Sequence, residues 1–121
     1  MGPIVLVSSR ADTWDDFAAT LSHQGQAEVM AARTSAEALS AAREKGPVAM
    51  VIDEDLGDMS GIELARAVIL INAMIQLALV SDQPEAVFHE ATEGLGILMQ
   101  LPLRPGRQEA VQLSERLAGV I

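Results

Sequence analysis

Apolar residues in this chain fall into short unbroken runs separated by longer stretches in which they recur at helical spacing. Residues 4–7 read Ile-Val-Leu-Val, then the chain turns abruptly polar at Ser8-Ser9. Residues 48–52 (Val-Ala-Met-Val-Ile) are apolar at every position, so that strand should be covered on both faces. Residues 75–80 and 97–101 make two more largely apolar runs, each holding one glutamine (Gln76 and Gln100), the last ended by Pro102, and a weaker one spans residues 27–31. Between them lie helix signals. Trp14, Phe17, Ala18 and Leu21 share one face of a helix that Asp12 or Thr13 could cap and Gly25 ends. "TSAE" (34–37) and "SGIE" (60–63) read as capping boxes, and Lys45-Gly46 as a helix C-terminus. Ile62, Ala65, Arg66 and Ile69 continue the third helix. Asp82 could cap the fourth with Pro84 in its first turn, and Val111, Leu113 and Leu117 are core candidates of a fifth from about 106 to 118.

Strand and helix thus alternate five times. That order predicts an α/β domain with a parallel sheet and helices on both faces. In such folds ligands and chemistry gather at the carboxyl ends of the strands. The positions to watch are therefore Ser8-Ser9, Asp53, Ser81-Asp82 and Leu101-Pro102.

Composition narrows the function. The 121 residues suit one domain with one core, here residues 1–121 without an output domain. Eight basic against 17 acidic residues give a net charge of −9, which repels phosphate backbones and anionic lipid, so neither nucleic acid nor membrane is an expected partner. The longest apolar stretch, 67–80, is interrupted by Asn72 and Gln76 and is too short to span a bilayer; no signal-peptide layout is present, and a cytoplasmic location is expected. With no cysteine there is no disulfide, thiol chemistry or thiolate metal site, and His23 and His89 stand apart from any ligand-spaced partner. One Trp, two Phe and no Tyr leave little for base stacking.

The length, the alternation and the segment "VIDEDLGDMSG" (51–61) together resemble the receiver domain of bacterial two-component response regulators, over nearly the whole chain. The resemblance rests on Asp53 ending the third strand, Gly61 eight residues later, the hydroxyl of Ser81 after strand four and Pro102 after strand five. It implies a flavodoxin-like, doubly wound (βα)5 three-layer sandwich with strand order 2-1-3-4-5. It also implies Asp53 as phospho-acceptor for a histidine kinase and Ser81 as the switch hydroxyl that meets the phosphoryl group. An acid pair after strand one would hold Mg²⁺, a lysine before the strand-five proline would contact the phosphoryl group, and an aromatic residue in strand five would report the state.

The sequence departs from that pattern at several pocket positions. The acid pair aligns with Ser8 and Ser9, the lysine with Leu101, the aromatic with Leu98, and the small residue after the hydroxyl with Asp82. Gly57 replaces a proline in the acidic loop. Mg²⁺ wants hard, charged oxygens, and here only Asp53 and the backbone carbonyl of Asp55 remain to offer them. Phosphoryl transfer depends on neutralising charge at the moving group. Two like charges about 4 Å apart at an effective dielectric of about 20 repel by roughly 4 kcal/mol, so Asp82 could add to the difficulty. Three readings follow. The first is a stand-alone receiver-like module, not an enzyme and without cofactor, that acts by contact with a histidine kinase, a downstream regulator or a second copy through residues 84–118, with Phe88 and Arg107 as positions to test. The alternative is a working phospho-acceptor at Asp53 that uses Mg²⁺. The third, a flavin or small-molecule binder, wants a glycine in the loop after strand one, and "SSRADT" has none.

Overall fold

The computed structural model describes residues 2–25 and 27–120. Five strands, β1 (Ile4–Val7), β2 (Val29–Ala32), β3 (Ala49–Ile52), β4 (Gln76–Val80) and β5 (Met99–Leu101), form one parallel sheet in the order β2-β1-β3-β4-β5. Five helices connect and cover them: α1 (Asp15–Gly25), α2 (Ser35–Glu44), α3 (Gly61–Ile71), α4 (Glu85–Ala91) and α5 (Arg107–Val120). This is the doubly wound, flavodoxin-like arrangement expected from the sequence.

The period-2 geometry of the strands explains why the central runs are apolar throughout. Alternate residues feed two separate cores. Val5, Val7, Met50, Ile52, Leu77 and Leu79 point into the layer of α2, α3 and α4. Ile4, Leu6, Ala49, Val51, Ala78 and Val80 point into the layer of α1 and α5, where they meet Phe17, Leu21, Leu113 and Leu117. Trp14 and Phe17 pack edge to face there, with centroids 6.2 Å apart. Among the described residues no helix is long and apolar enough to cross a membrane.

Several local expectations change. The edge strands are shorter than their apolar runs: β2 begins at Val29, and β5 at Met99, because Gly94 and Gly96 before it adopt positive φ (85° and 68°) and hold the chain out of an extended path. Neither Asp12 nor Thr13 caps α1. A 3₁₀ turn, Ala11–Trp14, precedes it, and the Thr13 hydroxyl donates to the Arg10 carbonyl at 2.7 Å. Pro84 occupies the N-cap of α4, which displaces Asp82 from that role. Ser60 and Glu63 form a complete capping box on α3. At α2 the box is half made: the Thr34 hydroxyl accepts from the Glu37 amide, but the Glu37 carboxylate takes the amide of Arg33 instead of the cap's own.

Phe17 is fully buried between the α1–α5 layer and the sheet. Phe17→Ala is expected to lower the free energy of unfolding by about 3–5 kcal/mol, read as a lower urea midpoint at unchanged slope.

Candidate functional site

Sheet register builds the site. Val7 pairs with Ile52 across β1 and β3, and the Asp53 amide donates to the Val7 carbonyl at 2.9 Å, so the next residues of both strands, Ser8 and Asp53, emerge side by side. Both are fully buried. The Ser8 hydroxyl donates to Asp53 Oδ2 at 2.7 Å, and the Glu54 amide donates to Oδ1 at 2.9 Å.

The remaining donors come from Arg10. Its Nη2 lies 3.0 Å from each carboxylate oxygen, and its Nε lies 3.3 Å from Oδ2. A carboxylate offers about four lone-pair sites. Five hydrogen bonds converge on this one, so its acceptor capacity is saturated. Exposed ion pairs contribute about 0–1 kcal/mol. This pair is stronger in character, because Asp53 has no solvent exposure and gains a charge-assisted fork, while the Arg10 side chain stays half exposed at 50%. The arginine is aimed by its own backbone: the Arg10 amide donates to the Ser8 hydroxyl at 2.9 Å, and its carbonyl accepts from both the amide and the hydroxyl of Thr13.

Two glycines shape the loop beyond Asp53. A Cβ on Gly61 would stand 2.3 Å from the Asp53 carbonyl oxygen, so only glycine lets α3 begin this close to the strand end. Gly57 has φ +89°, a value closed to proline. Asp55 Oδ1 accepts from the Gly57 amide at 2.9 Å, and the Ser35 hydroxyl donates to Asp58 Oδ2, tying the loop to the start of α2.

The other sequence candidates divide. Ser81 is nearly buried, and its hydroxyl accepts from the Gln83 amide at 3.1 Å, the role of a turn residue. Ser9 is exposed, and so is Asp82. Leu101 is buried in the α1–α5 core with Trp14 and Leu113, and Leu98 packs partly against the same cluster. Phe88 is 7% exposed and belongs to the opposite core, which removes it as a contact position, whereas Arg107 is exposed.

Sequence reading passed over two residues of this region. Arg10 is one, although it is the only lysine or arginine before Arg33 and follows a watched strand end by two positions. Gln100 is the other. Its Nε2 donates to the carbonyls of Ser81 at 3.1 Å and Gln83 at 2.9 Å, strapping the β4–α4 connection to the edge strand.

No family model matches the chain, and no curated protein matches it. Solved structures do. A CheY-like response regulator receiver domain protein from Methanospirillum hungatei superposes with a TM-score of 0.83 at 18% identity, covering 99% of this chain and 96% of that one. Chemotaxis response regulator CheY4 of Vibrio cholerae gives 0.82 at 18%, covering 97% and 98%. A response regulator receiver domain protein from Clostridium thermocellum gives 0.81 at 17%, covering 100% and 94%. The chain therefore has the fold of CheY-like receiver domains. The divalent cation implied by that fold does not suit the residues present. Ser8 and Ser9 are neutral, the Asp53 oxygens are engaged by Arg10, and among the described residues no three acids or histidines gather as a metal cage.

Arg10→Ala leaves Asp53 buried without its counter-charge and is expected to cost about 2–3 kcal/mol, below the 3–5 of a fully buried pair because the guanidinium is half hydrated. Asp53→Asn should cost less, since Ser8 can still donate to the amide oxygen and Arg10 can hydrate; urea midpoints of the two variants establish the order. Gln100→Leu should speed hydrogen exchange at the Gln83 amide while leaving that of Val51 unchanged.

Proposed function

We propose that this chain is a receiver-like signal-transduction module of the two-component type. It acts in the cytoplasm by contact with a protein partner, and Mg²⁺-dependent phosphorylation of Asp53 is impaired or absent. The observation that carries this reading is the saturation of the Asp53 carboxylate by Ser8, Arg10 and the Glu54 amide. In-line attack on a phosphoryl donor needs a free carboxylate lone pair and a cation to offset charge on the transferred group. Here the lone pairs are spent on intramolecular donors, and Leu101, where the family has lysine, lies in the core.

The module has no reaction of its own in this reading, so its output is binding. The partner is a histidine kinase or a downstream regulator, and the contact lies within residues 84–118. Support comes from the shape of that region. A groove of about 620 Å³ runs between α4 and α5 across β5, with Glu85, His89, Leu98, Gln112 and Arg116 among its lining residues. Val87, one residue before Phe88 in α4, is 47% exposed. A second copy of the chain is one candidate occupant.

The alternative, a conventional phospho-acceptor, keeps Asp53 and Ser81 at the strand ends where the family has them but requires Arg10 to leave the carboxylate first. Incubation with acetyl phosphate and Mg²⁺ separates the two. The intact mass should stay unchanged; a gain of one phosphoryl group that disappears in Asp53→Asn would establish the alternative. If copies pair through α4, β5 and α5, sedimentation at rising concentration should report a dimer that Val87→Glu weakens, and a monomer at every concentration would leave the face to a different protein.

A further inference from the structure

We propose that Arg10 is a tethered cation that takes the seat the receiver fold gives to a divalent metal ion, so that the pocket is charge-balanced from within and closed to solvent cations while Arg10 is present. The geometry behind this is a substitution of one kind of positive charge for another. A divalent ion would need the outward oxygens of Asp53 together with further charged oxygen ligands from the end of β1. At that strand end the chain supplies hydroxyls at Ser8 and Ser9, and then a guanidinium two residues beyond Ser8. That guanidinium meets both oxygens of Asp53 at 3.0 Å. Ser8 contributes twice, donating its hydroxyl proton to Asp53 and accepting from the Arg10 amide, so the neutral residue in the place of an acid now orients the cation.

The pairing also has the marks of a built site. Asp53 has no exposed surface, and its partner reaches it from a turn whose first carbonyl is bonded twice by Thr13. A surface arginine that met a carboxylate by chance would not have its main chain fixed on both sides. Ser8 and Arg10 therefore act as one unit: remove the guanidinium, and a buried anionic seat remains that a small cation can enter.

The inference rests on the reading of Asp53 as the acceptor position of the fold, and its test does not depend on phosphorylation. Thermal melting of the wild type, Arg10→Ala and Arg10→Ala/Asp53→Asn is compared in buffer alone, with millimolar Mn²⁺ or Mg²⁺, and with guanidinium well below denaturing concentrations. The wild type should not respond to any of these cations. Arg10→Ala should melt lower and regain part of the loss with guanidinium or a divalent ion, and the double variant should regain none. A wild type stabilised by the divalent ion as strongly as Arg10→Ala, or an Arg10→Ala variant that no cation restores, would overturn the proposal. Should Arg10→Ala not fold, Arg10→Gln keeps the stem and a donor without the charge. Paramagnetic Mn²⁺ should then broaden the amide signals of Asp53 and Glu54 in that variant but not in the wild type, and equal broadening in both, or none in either, counts against Arg10 as the barrier. A phosphoryl adduct on the wild type would defeat the functional reading alone, whereas the cation responses judge Arg10 by itself.

Discussion

A fully buried carboxylate at the end of a parallel sheet has to find its positive charge within the chain or from solution, because an unmatched buried anion is among the most destabilising features a fold can carry. The organisation around Asp53 answers that demand. The β1–β3 register brings Ser8 alongside, the 3₁₀ turn after β1 delivers Arg10, the next amide along the chain, that of Glu54, also faces the carboxylate, and Gly61 lets α3 start against the Asp53 carbonyl. Each element does something ordinary on its own. Together they leave the hydrogen-bonding capacity of the Asp53 carboxylate used up.

The same economy runs through the loops above the sheet. The β3–α3 loop is fastened to α2 by Ser35 and Asp58 and closed internally by Asp55 and Gly57. The β4–α4 connection is held by Gln100 from the neighbouring strand and by the Ser81 hydroxyl within its own turn. Both connections border the carboxyl ends of the strands, and each carries side-chain bonds that favour one arrangement.

How far the sequence could be read depended on the range of each interaction. The central strands declared themselves because both of their faces are buried, leaving unbroken apolar runs such as 48–52. The edge strands β2 and β5 have one neighbour each and mixed exposure, so their runs overstated their length. Asp53 and Ser8 were legible as strand-end residues. The bond between them was not, and neither was the reach of Arg10 across 43 positions, because nothing local marks a contact that sheet register creates. Arg10 follows the end of β1 with no local motif around it, so its role shows only in the folded contact with Asp53. The exposure of Phe88, a position to test within residues 84–118, could not be read locally, because tertiary packing places it in the core.

The short span from Ser8 to Arg10 has one last consequence. An ion drawn from solution occupies its site in proportion to its abundance and departs when a chelator lowers it. A charge carried on the same chain, two residues beyond a serine that itself bonds Asp53, has an effective concentration set by the fold, which dilution, dialysis and the mineral content of the surroundings do not alter. The balance of charge at Asp53 is thereby inherited with the gene instead of borrowed from the medium.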